Sequence, residues 1–467
     1  RSWQEDNKTA RSIANFTAAM LAVSPYGVFI SQEARHYSLA ILWTIVSINC
    51  LAIACRQLSR AQNLPIWLVT IWVSTNMLGM GTHYLFGMAL IAQVITLGVV
   101  WMWQVRQVQP KSESAMAINI KLPPLWWRLV AVSLSTAAGA AFWLWLWASN
   151  VNRTIPGWID NAPHKSIEVL NPLFQIIGAS ISMMSLLLVE VTELPPILTR
   201  SDNPIDINIP IVILSAIVML AFFIWVTPIL NRAVRSQLRQ PQLQIGTIAI
   251  LVFTVSAIGL YLLIPWLTGI DITRGARYHF VYFPGIMMLI GLGLASCWQR
   301  PPALATWRSG QPAVTIVLLM GVVSSTIVAN NYGYHKYYRP EQIVPMIQQS
   351  APIPVTIATT HNSLVQVGEM MGLAWEMQHS DLVNRAAPPQ FLLVHQAQKF
   401  CDRDCAATKL LRETVDRLSS SIDLWLVNFH APVSLPTTCD RSKQFTRGVY
   451  GYQYQLYHCR PIKDATS

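Results

Sequence analysis

The chain has 467 residues, of which 53% are hydrophobic and only 12% are charged. Soluble domains carry about 25% charged residues, so this composition predicts an integral membrane protein. The formal net charge is +11, and the basic residues fall mostly in short segments between apolar runs. Because cytoplasmic loops are enriched in Lys and Arg, membrane topology explains this charge, and no nucleic-acid partner is expected.

Apolar runs long enough to cross a membrane recur from the start of the chain to about residue 330. A spanning helix needs about 20 apolar residues to cross a hydrocarbon core of about 30 Å. About nine runs approach this length, at residues 12–30, 36–55, 64–81, 84–103, 125–148, 209–230, 245–266, 278–296 and 313–330. They predict an all-α multi-pass membrane domain over residues 1–330.

A polar island separates the first two runs and reads Ser31-Gln32-Glu33-Ala34-Arg35-His36-Tyr37. Charged groups this close to lipid are costly and usually mark a site. A solvated turn, with Arg35 reaching up to the lipid phosphates, is the simpler alternative.

A tenth run, residues 172–189, is weaker because it holds several Ser and Met residues. If it crossed the membrane, Arg232, Arg235 and Arg239 would lie outside, against the positive-inside rule. We therefore expect a helix in or dipping into the outer interface, within an external loop of about residues 149–208. The same assignment of loops to the two sides of the membrane places four further segments on one external face: the polar island, the turn after residue 81, residues 267–277 and the polar tail.

The tail, residues 331–467, predicts a small external α/β domain. Strand and helix patterns alternate along it, in the order Pro354 to Thr360, Leu364 to Met377, Phe391 to Gln396, Ala406 to Leu418 and Ile422 to Phe429. Such alternation favours a compact α/β layer. Residues 450–459 alternate aromatic and polar side chains and are predicted to form a closing edge strand.

Four of the seven cysteines lie in this tail: Cys401, Cys405, Cys439 and Cys459. In an oxidising compartment they permit two disulfides with three possible connectivities. The first two also have the spacing of half a metal site. No second clustered pair completes such a site, so disulfides are the preferred interpretation.

Common soluble-enzyme motifs are absent from the sequence: it has no P-loop, dinucleotide fingerprint, H-E-x-x-H or G-x-S-x-G element. Residues 25–39, by contrast, resemble the P…S-x-E-A-R-x-Y-x-L element of polytopic bacterial glycosyltransferases of the protein O-mannosyltransferase-like superfamily, family 39, with the GT-C fold. Thr82-His83-Tyr84 and Arg277-Tyr278, followed by Pro284, agree with that family in order and sidedness. The resemblance covers roughly residues 12–330.

This resemblance implies transfer of a sugar from a polyprenyl-phosphate donor to an external acceptor: a lipid, a glycan or a protein. The reaction would take place at the outer face of the plasma membrane. In the family, a principal acidic residue lies in the first external loop. On that plan the chain begins near the third span, so we expect this residue upstream of Arg1 and residues 1–467 alone to be inactive.

The remaining candidates carry supporting roles by resemblance. Glu33 and His83 are the catalytic candidates, with Glu33 orienting the acceptor or a divalent metal ion; the sequence leaves the metal requirement open. The substrate-binding candidates are Arg35, Tyr37, Tyr84, Arg277 and Tyr278. Arginine suits a phosphate because its planar fork binds two oxygens, and Arg274 is a neighbour that could exchange roles with Arg277.

Each candidate has a simpler explanation, and so does the function. Glu33 could form a plain salt bridge, His83 could be an interfacial histidine, Arg277 could snorkel, and the tyrosines could anchor the interface. The main functional alternative is a multi-pass transporter or lipid-linked-sugar flippase, and a non-catalytic scaffold is the third. Transporters place ionisable groups near mid-membrane and contain repeats, whereas here the charges concentrate in external turns.

Overall fold

A computed structural model divides the chain into two compact units, Arg1–Arg200 with Ile207–His335, and Ser201–Asp206 with Lys336–Ser467. We call them the membrane unit and the tail domain; the boundary lies five residues beyond the predicted one. The structure describes residues 2–33, 36–108, 126–150, 171–185, 209–268, 271–299, 310–330, 340–349, 354–361, 364–380, 389–396, 405–443, 449 and 451–461.

The described part of the membrane unit is helical. Its helices are α1 (Ser2–Val23), α2 (Pro25–Gln32), α3 (Tyr37–Ser59), α4 (Ile66–Thr82), α5 (Phe86–Val108), α6 (Trp126–Asn150), α7 (Asn171–Ser182), α8 (Ile209–Leu238), α9 (Pro241–Thr268), α10 (Phe283–Trp298) and α11 (Gln311–Ala329). Two short 3-10 turns, Ile272–Arg274 and Ala276–Val281, connect α9 to α10.

Six of the described helices are long and apolar enough to cross a membrane, or seven if α1 and α2 form one bent span. The prediction of about nine spans is therefore wrong for the described residues. Helices form at all nine predicted runs, but α4 has 17 residues and α10 only 16. At about 1.5 Å per residue these two helices are about 25 Å long, shorter than the hydrocarbon core. The coarser prediction, a helical integral membrane protein, is supported.

The break between α1 and α2 has a local cause. The two helices meet at 58°, and Ser24, with extended backbone angles, precedes Pro25. A proline disfavours helical geometry in the residue before it. The Ser24 hydroxyl accepts a hydrogen bond from the Gly27 N–H (3.2 Å) and donates one to the Met183 carbonyl (2.7 Å). The break therefore joins α2 to the end of α7.

Helix α7 has 12 residues and is too short to span. Ile176, Ala179 and Ile181 are buried on it, and it packs against α8, α9 and the first 3-10 turn. The prediction that residues 172–189 do not cross agrees with this length for the described residues, 171–185.

Close helix packing in the membrane unit uses small residues, as it does in many membrane proteins. Gly291 of α10 lies directly against α1: a Cβ atom built there would come within 2.6 Å of the Thr17 backbone nitrogen. A larger side chain would push the two helix backbones apart. The glycine therefore permits this contact.

The tail domain is one five-stranded sheet with helices on both faces. Its described elements are α12 (Pro340–Gln349), β1 (Val355–His361), α13 (Leu364–His379), β2 (Gln390–His395), α14 (Ala406–Asp416), β3 (Ile422–Val427), β4 (Cys439–Arg441) and β5 (Tyr454–Cys459). The strand order is β2-β1-β3-β5-β4. The first three strands are parallel, and β5 runs antiparallel to β3 and β4.

Successive side chains of β1 and β3 point to opposite faces of the sheet, and each face has its own hydrophobic core. Ile357 and Trp425 pack with Leu373 of α13 on one face of the sheet. Ala358 and Leu424 face the other way and pack with α14. The period-2 pattern of a strand buried on both faces produces this arrangement.

One sequence expectation for this domain is wrong. The predicted closing edge strand is β5, which lies inside the sheet between β3 and β4. The short strand β4 covers its outer side and is joined to it by the Cys439–Cys459 disulfide. Cys405 is also disulfide-bonded, whereas Cys401 lies outside the described residues.

Candidate functional site

Four chain segments meet at one end of the membrane helices. They are the end of α2, the start of α3, the turn between α4 and α5, and the 3-10 turn Ala276–Val281. We call this place the rim site and define it by Glu33, His36, Tyr37, His83, Tyr84, Arg277, Tyr278 and Phe280. More than 240 residues of chain separate Glu33 from Arg277, so tertiary packing alone brings them together.

The charged part of the rim site is the pair of Glu33 and Arg277. The Arg277 Nη1 atom lies 3.9 Å from the Glu33 Oε2 atom, and the two side chains are 25% and 22% exposed. At that separation the pair is an ionic contact without hydrogen-bond geometry. A half-buried guanidinium held this loosely keeps N–H donors for a further anion.

The aromatic part is a continuous cluster of imidazole and benzene rings. The centre is His83, whose ring centroid lies 5.1 Å from that of His36, 5.2 Å from Tyr37 and 5.1 Å from Phe280. Tyr278 adds an edge contact to His83 at 6.3 Å. The cluster therefore joins the polar island, the turn at His83 and the 3-10 turn Ala276–Val281 to one another.

The cluster also extends outward. Tyr84 lies 4.7 Å from His83 by ring centroid and 5.8 Å from Trp147, near the end of α6. Its side chain is 53% exposed, whereas His83 is 5% exposed. The rim site therefore has a buried part around His83 and an exposed aromatic part at Tyr84.

His83 is held in one protonation state. Burial, and secondly the neighbouring His36, lower the pKa of His83 from its usual 6.5 to about 3. The imidazole is therefore neutral at pH 7. Its Nδ1 atom accepts a hydrogen bond from the Leu85 backbone N–H at 3.0 Å, so the proton sits on Nε2. His83 can therefore donate a hydrogen bond through Nε2, but it has no free nitrogen lone pair with which to act as a base.

The 3-10 turn that carries Arg277 is anchored from below. The Tyr26 hydroxyl of α2 donates to the Arg277 carbonyl at 3.4 Å. The Tyr261 hydroxyl of α9 donates to the Tyr278 carbonyl. Since both bonds reach the backbone, they fix the turn without occupying the Arg277 guanidinium.

The turn before it is organised by Asp271, which the sequence analysis did not single out. Its Oδ1 atom accepts hydrogen bonds from the Thr273 N–H at 3.0 Å and from the Thr273 hydroxyl at 2.5 Å. The aspartate is completely buried. The D-x-T spacing of an N-terminal cap was the available signal.

A second polar pair lies at the end of the 3-10 turn Ala276–Val281, and the sequence patterns did not predict it. His279 is completely buried, and its Nδ1 atom is 2.8 Å from the Tyr282 hydroxyl. Tyr261 packs against both rings. No sequence spacing joins Tyr261 to this pair, because the contact depends on how α9 packs against the turn.

Two of the sequence candidates lie outside what the structure describes. Arg35 lies outside the described residues, and so does the side chain of Arg274. Among the residues the structure describes, no group of three or more His, Cys, Asp or Glu side chains is arranged to hold a metal ion. The described part of the rim site therefore offers Glu33 as its one carboxylate and no formed metal centre.

Comparison with protein-family models, curated proteins and solved structures finds no match to this chain. What is established is a multi-pass helical membrane protein with an α/β tail domain that contains the Cys439–Cys459 disulfide.

Proposed function

We propose that this protein is a membrane glycosyltransferase of GT-C type. It would move a sugar from a polyprenyl-phosphate donor to an acceptor outside the plasma membrane. The observation that carries the proposal is the contact between Glu33 and Arg277 beside an aromatic cluster at the ends of the membrane helices. A phosphate attached to a lipid chain reaches protein at this depth.

The reaction requires an acceptor hydroxyl beside the sugar, a base for its proton and a cation at the phosphate. The bond between the sugar anomeric carbon and the phosphate oxygen breaks, and the acceptor oxygen bonds to that carbon. The acceptor proton passes to a carboxylate base, and the phosphate leaves carrying the electron pair. A cation at the phosphate stabilises the developing charge.

Arg277 is the residue we assign to the phosphate. Its guanidinium touches Glu33 at 3.9 Å and is one-quarter exposed. The hydrogen bonds that fix its turn go to backbone carbonyls. The side chain is therefore positioned by its neighbours and open to a phosphate, which a planar fork can bind through two oxygens.

Glu33 and the rings complete the assignment. The Glu33 carboxylate orients the acceptor hydroxyl beside the leaving phosphate. Tyr84, which is exposed, and the half-buried Tyr278 offer ring faces and hydroxyls of the kind that hold sugars at a partly wet surface. Tyr37 is buried and packs against His83. His83, neutral with its proton on Nε2, donates a hydrogen bond and does not act as the base.

The alternative of a flippase or transporter is supported less well. Such proteins place ionisable groups near mid-membrane. Within the described residues of helices α3 to α6, every buried polar side chain is neutral: Thr44, Ser47, Thr75, Asn76, Gln93 and Thr96. The charged pair lies at the helix ends, which favours chemistry at the interface.

The test uses the whole protein in membranes, given a radiolabelled sugar on polyprenyl phosphate. Wild type releases polyprenyl phosphate as the label moves to an acceptor. Arg277→Gln should lower this release about 100-fold, since removing a charged transition-state contact costs about 2.7 kcal/mol. Binding of polyprenyl phosphate should weaken at least tenfold.

Arg235→Gln is the matched control. Arg235 is exposed near the end of α8, far from the rim site along α9, and its Nε bonds Asn231 at 3.1 Å. Release should be unchanged in this variant. Movement of the lipid between leaflets without release would support a flippase instead, and equal release by both variants would refute the role of Arg277.

A further inference from the structure

The tail domain carries a histidine pair that the proposed function does not use. His361 ends β1 and His395 ends β2, and the two residues are directly paired in the parallel ladder. Their ring centroids are 5.3 Å apart with an interplanar angle of 60°. In-register residues on neighbouring strands point to the same face, so the backbone itself fixes this pair.

The pair lies at the place where an open α/β sheet usually binds ligands. The chain leaves β1 into α13, which packs on one face, and leaves β2 into α14, which packs on the other. Adjacent strands whose connections diverge in this way leave a crevice at their carboxyl ends. His361 and His395 are the last residues of those two strands.

Both imidazoles are available to a ligand. His395 is exposed and His361 is half-buried. Within the described residues, neither ring takes part in a hydrogen bond or an ion pair, and each ring has the other as its aromatic neighbour. A neutral imidazole keeps one nitrogen lone pair, so the pair presents two nitrogen ligands.

The backbone around the pair is fixed by Gln396. Its N–H donates to the His361 carbonyl at 2.9 Å and extends the ladder one step beyond the histidines. Its side-chain amide donates to the His430 carbonyl at 3.2 Å, which joins the edge to the segment after β3. The two strand ends therefore cannot separate without breaking these bonds.

The spacing of the rings fits one metal ion. A Zn–N bond is about 2.0–2.1 Å, so two imidazoles at tetrahedral positions hold their ring centroids about 5 Å apart. The observed 5.3 Å matches this value with little adjustment. Two protonated rings at the same distance would repel each other.

We propose that His361 and His395 bind a Zn²⁺ ion at the carboxyl edge of the sheet. The ion takes two nitrogen ligands from the chain and keeps its other positions for water or an incoming oxygen or sulfur ligand. No third His, Cys, Asp or Glu completes the site among the described residues. The site is therefore open, and it is independent of the rim site and its proposed chemistry.

The experiment titrates Zn²⁺ into the metal-free full chain in detergent, against a chromophoric chelator. His361→Asn and His395→Asn keep a polar side chain and should each weaken zinc binding at least tenfold. His379→Asn is the matched control. His379 stacks on Trp375 of α13 at 4.1 Å and should leave zinc binding unchanged.

A second measurement reads the ligands directly. Cu²⁺ substituted into the wild type should show two coordinated nitrogens by electron paramagnetic resonance, and one in either histidine variant. Thermal unfolding without metal should be the same in all four proteins. Equal zinc affinity in wild type and His361→Asn would overturn the proposal. Binding of inorganic phosphate to the pair, with no zinc response, would assign the crevice to an anion at the start of α13 and would also overturn it.

Discussion

The membrane unit holds two polar regions that differ in charge and in the kind of contact that joins their side chains. Within the helices, Asn76 bridges four of them. Its Oδ1 atom accepts from the Ser47 hydroxyl at 2.7 Å and from Gln93 at 3.4 Å, and its Nδ2 atom donates to Thr136 at 3.3 Å. The Trp72 indole donates to Gln93 at 2.7 Å. At the rim, Glu33 and Arg277 are charged and touch at 3.9 Å.

The difference indicates that the Asn76 network stabilises the helix packing, whereas the rim pair binds a ligand. Neutral groups buried among helices and bonded to one another hold those helices together, because no water can replace the bonds. The charged pair at the rim contributes little to stability, since its atoms lie 3.9 Å apart without hydrogen-bond geometry. The Arg277 guanidinium keeps N–H donors for a further anion. We therefore expect substitutions in the Asn76 network to act on stability and substitutions at the rim to act on turnover.

The largest effect on stability should come from Asn76→Leu. The change leaves the Ser47 hydroxyl and the Gln93 amide without their acceptor in a buried place. We expect the free energy of unfolding to fall by about 2 kcal/mol. The measurement is thermal or denaturant unfolding in detergent.

Asn49→Leu is the control for that variant. Asn49 lies on the same helix as Ser47, is exposed, and donates to the Ile45 carbonyl of its own helix. Its replacement should change stability by less than about 0.5 kcal/mol. If both variants unfold alike, the network does not hold the helices together.

His83 should make stability depend on pH. Its pKa is about 3 in the folded protein against 6.5 ordinarily, so between these values the unfolded chain binds more protons. Stability should therefore be retained above pH 6.5 and lost as the pH falls. The loss should be about 1 kcal/mol between pH 6.5 and pH 5.5.

The comparison with His83→Gln isolates this contribution. The variant lacks the imidazole, so the difference in unfolding free energy between wild type and variant should shrink by that amount on acidification. A difference that does not change with pH would mean that the pKa of His83 is the same in the folded and the unfolded protein.

The smallest effect on stability should come from Glu33→Gln. The charge is lost, but the side chain keeps its size, and an ion pair held at 3.9 Å without a hydrogen bond is worth less than about 1 kcal/mol. Sugar transfer should fall about tenfold in this variant while binding of polyprenyl phosphate is kept, because Glu33 is assigned to the acceptor. If the variant is destabilised as strongly as Asn76→Leu, the rim pair is structural and the contrast between the two regions fails.

Local patterns predicted much of the fold. Apolar runs placed the helices, and alternation placed β1, β2 and β3 within a residue or two. Run length overstated the number of spans, since α4 and α10 begin later than their apolar runs and have only 17 and 16 residues. Strand order was not predictable either: β5 follows β4 in the chain but lies inside the sheet because it pairs on both sides.

Sequence alone determined that this is a membrane protein with a polar island at Glu33, because the cost of putting charge in lipid acts on each segment separately. Only the tertiary structure decided that Arg277 lies beside Glu33, that Asp271 and His279 support its turn, and that His361 faces His395. Such contacts join residues far apart in the chain, and they depend on helix packing and strand pairing that no local pattern records.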